Sequence, residues 1–217
     1  AGIFLHEKKK FNLTIKKFSN FIDTNVKLIN ISDNTNRWLI GINKKNKIIR
    51  DESTLVEKKQ FTPIKEIYLI KKKEPIFFSN KINKLSKQKT LKFLKKIDSI
   101  PKINTEAKNC ILKNDLIIYG PGTQHSSLFP SYKISNKYIK ESKAKKIMIM
   151  NLEHDNDIKN LKSKEILTQA LKYLKYKKRT NEVIDSVLID TRCRFDNLNK
   201  VFKETKIKKI DIRNTFA

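Results

Sequence analysis

Hydrophobic positions change period twice along the chain. Phe11, Ile15, Phe18 and Phe21 or Ile22 recur at three- and four-residue steps, which predicts an amphipathic helix within Phe11 to Asn25. VKLINIS, RWLIGIN and KIIRDES follow as short alternating or apolar runs parted by DNTN and KKNK. They predict two or three strands in hairpin-like succession, and IKEIYLIK after Pro63 predicts another. Residues 72–100 are lysine-rich and show no strand period. Leu85, Leu91, Leu94 and Ile97 allow a helix there, and a surface insertion is the other reading.

From Pro101 the pattern alternates. TEAKNCILKN reads as a helix with Asn104 or Thr105 at its N-cap, and DLIIY as a strand of the fully buried kind. SYKISNKYIKESKA gives a helix and KKIMIMN a second buried strand. SKEILTQALKYLKY gives a helix with Ser163 as cap and Glu165 in its first turn, and IDSVLID a third buried strand. The residues from Thr191 onward read as a helix and one short final strand. This order predicts an α/β fold: a Rossmann-like, doubly wound parallel sheet with flanking helices, plus a smaller β-rich N-terminal segment. The expected regions are 1–71 (β-rich), 72–100 (insertion or surface helix) and 101–217 (βαβ part).

Charge adds a second consideration. The formal net charge of the 217 residues is +27, which raises nucleic acid or an anionic membrane as partners. Only 6 of the 49 basic residues are arginine, at positions 37, 50, 179, 192, 194 and 213. Specific recognition of phosphate and bases favours the arginine fork. The lysines also scatter from Lys8 to Lys209 and form no single block. The expectation is therefore non-specific contact with nucleic acid, with a basic nucleic-acid-binding module kept as an alternative. No run approaches the length of a transmembrane helix. Cys110 and Cys193 form no disulfide framework or metal pair, so plain thiols in a cytoplasmic protein are expected.

One stretch carries candidate chemistry. Asn114 to Tyr132 reads NDLIIYGPGTQHSSLFPSY and holds two of only 4 glycines. Ligands of open parallel sheets bind beyond the carboxyl ends of strands, and this is such a turn. Gly120 and Gly122 can take positive φ, and Pro121 stiffens the loop between them. Thr123, Ser126 and Ser127 place hydroxyls near a helix start whose free amides favour an anion. Gln124 and His125 lie in the same loop, where His125 could bond a phosphate or donate a proton, a solvated side chain being the plainer reading. A strand-to-helix turn with capping hydroxyls has the same pattern, and the sequence has neither the P-loop nor the dinucleotide glycine spacing. Glu153, His154, Asp155 and Asp157 follow the next strand without the spacing of a known metal site, and solvated partners for lysines are the plainer reading.

GPGTQHSSLFPSY resembles the signature loop of the 2-phospho-L-lactate transferase family, which includes CofD enzymes and YvcK-like proteins. Gly120, Pro121, Gly122, Ser127 and Pro130 match its Gly-Pro-Gly-Ser…Ser…Pro pattern, while Thr123 and Ser126 exchange one hydroxyl for another. TEAKNCILKNDLIIY resembles the helix and strand before that loop, and ESKAKKIMIMNL the strand after it, which ends at Asn151. The hairpin segment ending in Glu52 is also similar, and NLEHDNDI and Asp190 are departures. AGIFL resembles a mid-family helix, which puts the family's opening Gly-Gly-Thr-Gly loop before Ala1.

The resemblance implies a Rossmann-like core and transfer of a phospho-group from a nucleotide-activated donor, GDP- or UDP-linked, with Mg²⁺. The alternative it implies is the role of the non-catalytic members, which bind nucleotide sugars and influence carbon metabolism and the cell wall. The expected binding residues are Gly120, Pro121, Gly122, Thr123, Gln124, His125, Ser126 and Ser127, with Asn151 orienting the ligand. No catalytic residue or metal ligand is assigned, and a homodimer is left open.

Overall fold

The computed structural model describes residues 10–22, 26–49, 62–71, 85–151, 161–175, 179–190 and 205–210. Helix α1 (Phe11–Phe21) forms where the apolar period predicts it, yet Phe18 and Phe21 stay 42% and 80% exposed. Polar bonds hold it: Asn12 Nδ2 donates to Ser32 O at 3.2 Å, and Asn30 Nδ2 donates to Asn12 Oδ1 at 2.8 Å. VKLINIS is not a strand; its described pairing is the single bridge Ser32–Ile103. Side chains here bond locally, as when Asp33 Oδ1 accepts from Thr35 N at 3.1 Å, and such bonds compete with a ladder.

Strands β1 (Trp38–Asn43), β2 (Ile48–Ile49) and β3 (Ile64–Ile70) form an antiparallel sheet in the order β2-β1-β3. Helix α2 (Lys87–Ile97) supplies Leu94 to a cluster with Ile40, Ile42, Tyr68 and Ile70 on one face. Of the two readings of 72–100, the described part is therefore helical and packed. The other face of the sheet carries Ile49, Ile64 and Ile67 into the main core.

Helix α3 (Thr105–Lys113) starts at Asn104, whose side chain accepts from Glu106 N. It leads to β4 (Leu116–Tyr119), α4 (Phe129–Glu141), β5 (Lys145–Ile149), α5 (Ser163–Leu174), β6 (Ser186–Asp190) and β7 (Lys206–Ile210). The four strands are parallel, in the order β4-β5-β6-β7. Because the order advances one strand at a time, the crossovers α4 and α5 pack together on one face. Among the described residues the sheet is singly wound, against the doubly wound expectation.

Nor is β4 the fully buried strand its apolar run suggested. Its side chains alternate, so Ile117 and Tyr119 face the helices. Leu116 and Ile118 turn to the opposite face, where they are 46% and 55% exposed. Among the described strands β4 is an edge, paired only with β5. Helix α5 also starts differently from the reading of Ser163 as its cap. The Glu165 carboxylate reaches back and accepts from Lys162 N at 3.0 Å. No helix among the described residues is long and apolar enough to cross a membrane.

The layers are thus parallel sheet, α4 with α5, antiparallel sheet and α2. Polar bonds join the middle two. Buried Lys133 of α4 donates to both Asp98 carboxylate oxygens, at 2.7 and 2.9 Å, and to Ile67 O at 3.2 Å. The Tyr173 hydroxyl on α5 accepts from Ile67 N at 2.9 Å, and Lys44 pairs with Glu165 at 2.7 Å. Burial pushes the Lys133 ammonium below its ordinary pKa, and Asp98 offsets only part of this.

Removing one partner of such a pair leaves the other uncompensated, so Lys133→Met is expected to lower stability by about 3 kcal/mol in urea unfolding. A second expectation concerns the end of α5, where Lys175 holds φ 52° and ψ 47° in the left-handed region. Glycine takes that conformation without the Cβ clash, so Lys175→Gly should raise stability by about 1 kcal/mol.

Candidate functional site

The carboxyl edge of the parallel sheet gathers the predicted residues. β4 ends at Tyr119 and runs into Gly120–Thr123, β5 is followed by Met150 and Asn151, and β6 ends at Asp190, which is 2% exposed. Between Thr123 and α4 lies one π-helical turn, Gln124–Leu128. Leu128 N donates to Thr123 O at 3.1 Å and Ser127 N to the same oxygen at 3.2 Å. The wider i→i+5 turn admits one extra residue before α4, and such turns concentrate at functional sites.

Asn151 fastens the loop to β5. Its Oδ1 accepts from Gly122 N at 3.0 Å and its Nδ2 donates to Gly122 O at 3.0 Å. The side-chain amide thereby occupies both polar groups of that residue. Gln124, 6% exposed, donates from Nε2 to Gly122 O at 3.3 Å.

Inside the turn, His125 has no exposed surface and its ring meets Phe129 edge-on at 5.0 Å between centroids. Its Nε2 lies 2.8 Å from Gln169 Oε1 on α5. An amide oxygen only accepts, so Nε2 carries the proton. The remaining predicted side chains turn outward: Pro121 and Ser127 are exposed, and Thr123 and Ser126 are half-buried. No hydrogen bond among the described residues engages the amides of Thr123, Gln124 or Ser126.

The glycines depart from the expectation of positive φ, for neither has it. A Cβ on Gly122 would touch Leu128 at 3.7 Å, an ordinary contact, and one on Gly120 would meet nothing within 4 Å. Among the described residues, neither backbone angle nor packing requires glycine at position 120.

Aromatic packing supports the loop from below. Phe129 is fully buried and stacks on Tyr173 at 4.8 Å. The Tyr119 hydroxyl donates to Val183 O at 2.7 Å, and burial pushes the phenols of Tyr119, Tyr132 and Tyr173 upward, so they stay neutral.

The acidic stretch Glu153, His154, Asp155 and Asp157 lies outside the described residues. Among the described ones, no group of three or more His, Cys, Asp or Glu could hold a metal ion. Gln169 was missed from sequence. Its available signal was a polar residue amid Ile166, Leu167, Ala170 and Leu171 on the buried side of α5.

The family described as 2-phospho-L-lactate transferase CofD matches residues 3–215. This chain belongs to that family. No curated protein matches it. Among solved structures, protein BH3568 from Bacillus halodurans aligns at 19% identity with a TM-score of 0.66. The alignment covers 98% of this chain and 60% of that one, so this chain spans less than two thirds of the length of that structural neighbour. At that identity the likeness shows the fold. It agrees with the α/β arrangement of a four-stranded parallel sheet flanked by helices beside a separate three-stranded antiparallel sheet.

The Asn151 clamp is testable without any ligand. Asn151→Ala removes two backbone partners of Gly122, and each such loss costs about 1 kcal/mol. The variant should lose about 2 kcal/mol in urea unfolding, with faster hydrogen exchange at the Gly122 amide.

Proposed function

We propose that the Gly120–Ser127 loop holds the diphosphate of a nucleotide-activated substrate, GDP- or UDP-linked, and that the chain supplies this part of a 2-phospho-L-lactate transferase-like site. The observation that carries the reading is the open space in front of Gly120, where a Cβ meets no atom of the described residues. A glycine that no described contact requires suits close approach by a ligand. Family membership supports the class of reaction.

The loop's donors suit an anion. Amides at Thr123, Gln124 and Ser126 lie at the start of a helical run, with the hydroxyls of Thr123, Ser126 and Ser127 around them. The Gly122 amide is already engaged by Asn151, so Asn151 acts by holding the loop in place. In transfer from a diphosphate an acceptor hydroxyl forms the new P–O bond and gives up its proton, the bridging P–O bond breaks, and negative charge grows on the departing nucleoside phosphate. Preorganised amide and hydroxyl donors stabilise that charge. The net charge of +27 draws the anionic substrate toward the surface.

The resemblance also implies Mg²⁺. Magnesium is usually held by one or two carboxylates together with substrate phosphates. Asp190 is a buried carboxylate at this sheet edge, but the described residues assemble no site for the ion by themselves. The binding reading therefore rests on the loop's own donors.

Gly120→Ala separates binding from folding. At an ordinary φ the substitution removes unfolded-state freedom, so stability should hold or rise by up to about 1 kcal/mol. Affinity for GDP or UDP should fall about tenfold or more, equivalent to about 1.4 kcal/mol, in calorimetric titration. Unchanged affinity in a folded variant would remove the loop as the binding site. A shift seen only with RNA and abolished by raised salt would favour the basic nucleic-acid reading instead.

A further inference from the structure

We propose that Gln169 is a positioning residue for the loop, acting through His125, and that His125 serves the ligand only by fixing the turn around it. For what the loop holds, this rests on the diphosphate reading above; for the turn itself it stands alone. Gln169 bridges three elements. Its Oε1 accepts from His125 Nε2 at 2.8 Å, and its Nε2 donates to Ile64 O, the first residue of β3, at 3.4 Å. One side-chain amide on α5 thus ties the π-helical turn to the antiparallel sheet.

Three observations give that tie a function. First, the turn it holds is an unfavoured conformation, since π-helical bonds are rare and occur mostly as single turns. Second, His125 has no exposed surface, so it cannot meet a ligand in solvent, although it sits between Gln124 and Ser126. With the imidazole anchored inward and Gln124 buried, Ser126 and Ser127 are the polar side chains of the turn that remain accessible. Third, the anchor belongs to a row on α5. Glu165, Gln169 and Tyr173, at four-residue spacing, contact Lys44, Ile64 and Ile67 of the antiparallel sheet region. The row fixes α5 against that sheet, and Gln169 is the member that passes the constraint to the loop.

Two substitutions distinguish positioning from plain stability. Gln169→Glu keeps an acceptor for His125 Nε2–H and loses the donor to Ile64 O; Gln169→Leu loses both. Both remove the donor to Ile64 O, while Gln169→Leu also leaves the buried His125 N–H without its acceptor and Gln169→Glu places a charge in a half-buried site, so both should lower the melting temperature. Only Gln169→Leu should free the turn, with hydrogen exchange at the Leu128 and Phe129 amides accelerated about tenfold or more, while Gln169→Glu stays within about threefold of wild type. GDP titration should follow the exchange, with affinity reduced about tenfold in Gln169→Leu and less than about threefold in Gln169→Glu.

If exchange and affinity track melting temperature alike in both variants, or if Gln169→Leu leaves exchange unchanged, the positioning role is overturned. If the wild-type chain takes up no GDP or UDP, the diphosphate reading fails, and the exchange measurement still decides whether Gln169 holds the turn.

Discussion

The ring of Phe129 is where the architecture closes. It is fully buried, stacked on Tyr173 of α5 and met edge-on by His125 of the loop, with Tyr132 of α4 beside it. One aromatic side chain thereby links the loop after β4, the helix it starts and the neighbouring helix. A buried Phe contributes several kcal/mol and tolerates little displacement in a packed interior. The loop's direction is therefore set by core packing before any of its polar groups is engaged.

Polar contacts then define the loop more narrowly. The Asn151 amide mimics a peptide and pairs with Gly122 on one side of the turn. On the other side His125 is held by Gln169, which also reaches β3. Thr123, Ser126 and Ser127 are left half-buried or exposed beside Gly120, which no described residue obstructs. The antiparallel sheet contributes to this arrangement at a distance. Lys133 and Tyr173 fasten Ile67 to the helices that carry the loop.

Much of this was legible in the sequence, for identifiable reasons. The βαβ alternation after Pro101 was readable because α5 buries a clear apolar stripe and short apolar strands recur between the helices, although α4 buries Lys133, Ser135 and Asn136 beside Phe129, Tyr132 and Ile139. The loop stood out because glycine is scarce. The exposure of Leu116 and Ile118 was not readable, since an apolar run in an edge strand looks the same as one in a central strand. VKLINIS has strand-like composition, yet Asn30, Ser32 and Asp33 give its backbone and neighbours local partners that propensity does not count. The inward turn of His125 was hidden too, because its partner Gln169 is 44 residues away and the π-helical turn that aims it leaves no mark in the local pattern.

Under the proposed function the backbone at Gly120 and Gly122 lies against a bound diphosphate, and the scarcity of glycine makes such contact directly observable. With ¹⁵N-glycine labelling, the 4 glycines of the chain, at positions 2, 41, 120 and 122, are the expected source of amide signals. On titration with GDP or UDP at raised salt, the Gly120 and Gly122 resonances should shift saturably while Gly41, within β1, stays in place. Static Gly120 and Gly122 signals under saturating nucleotide, or equal shifts at Gly41, would contradict the account.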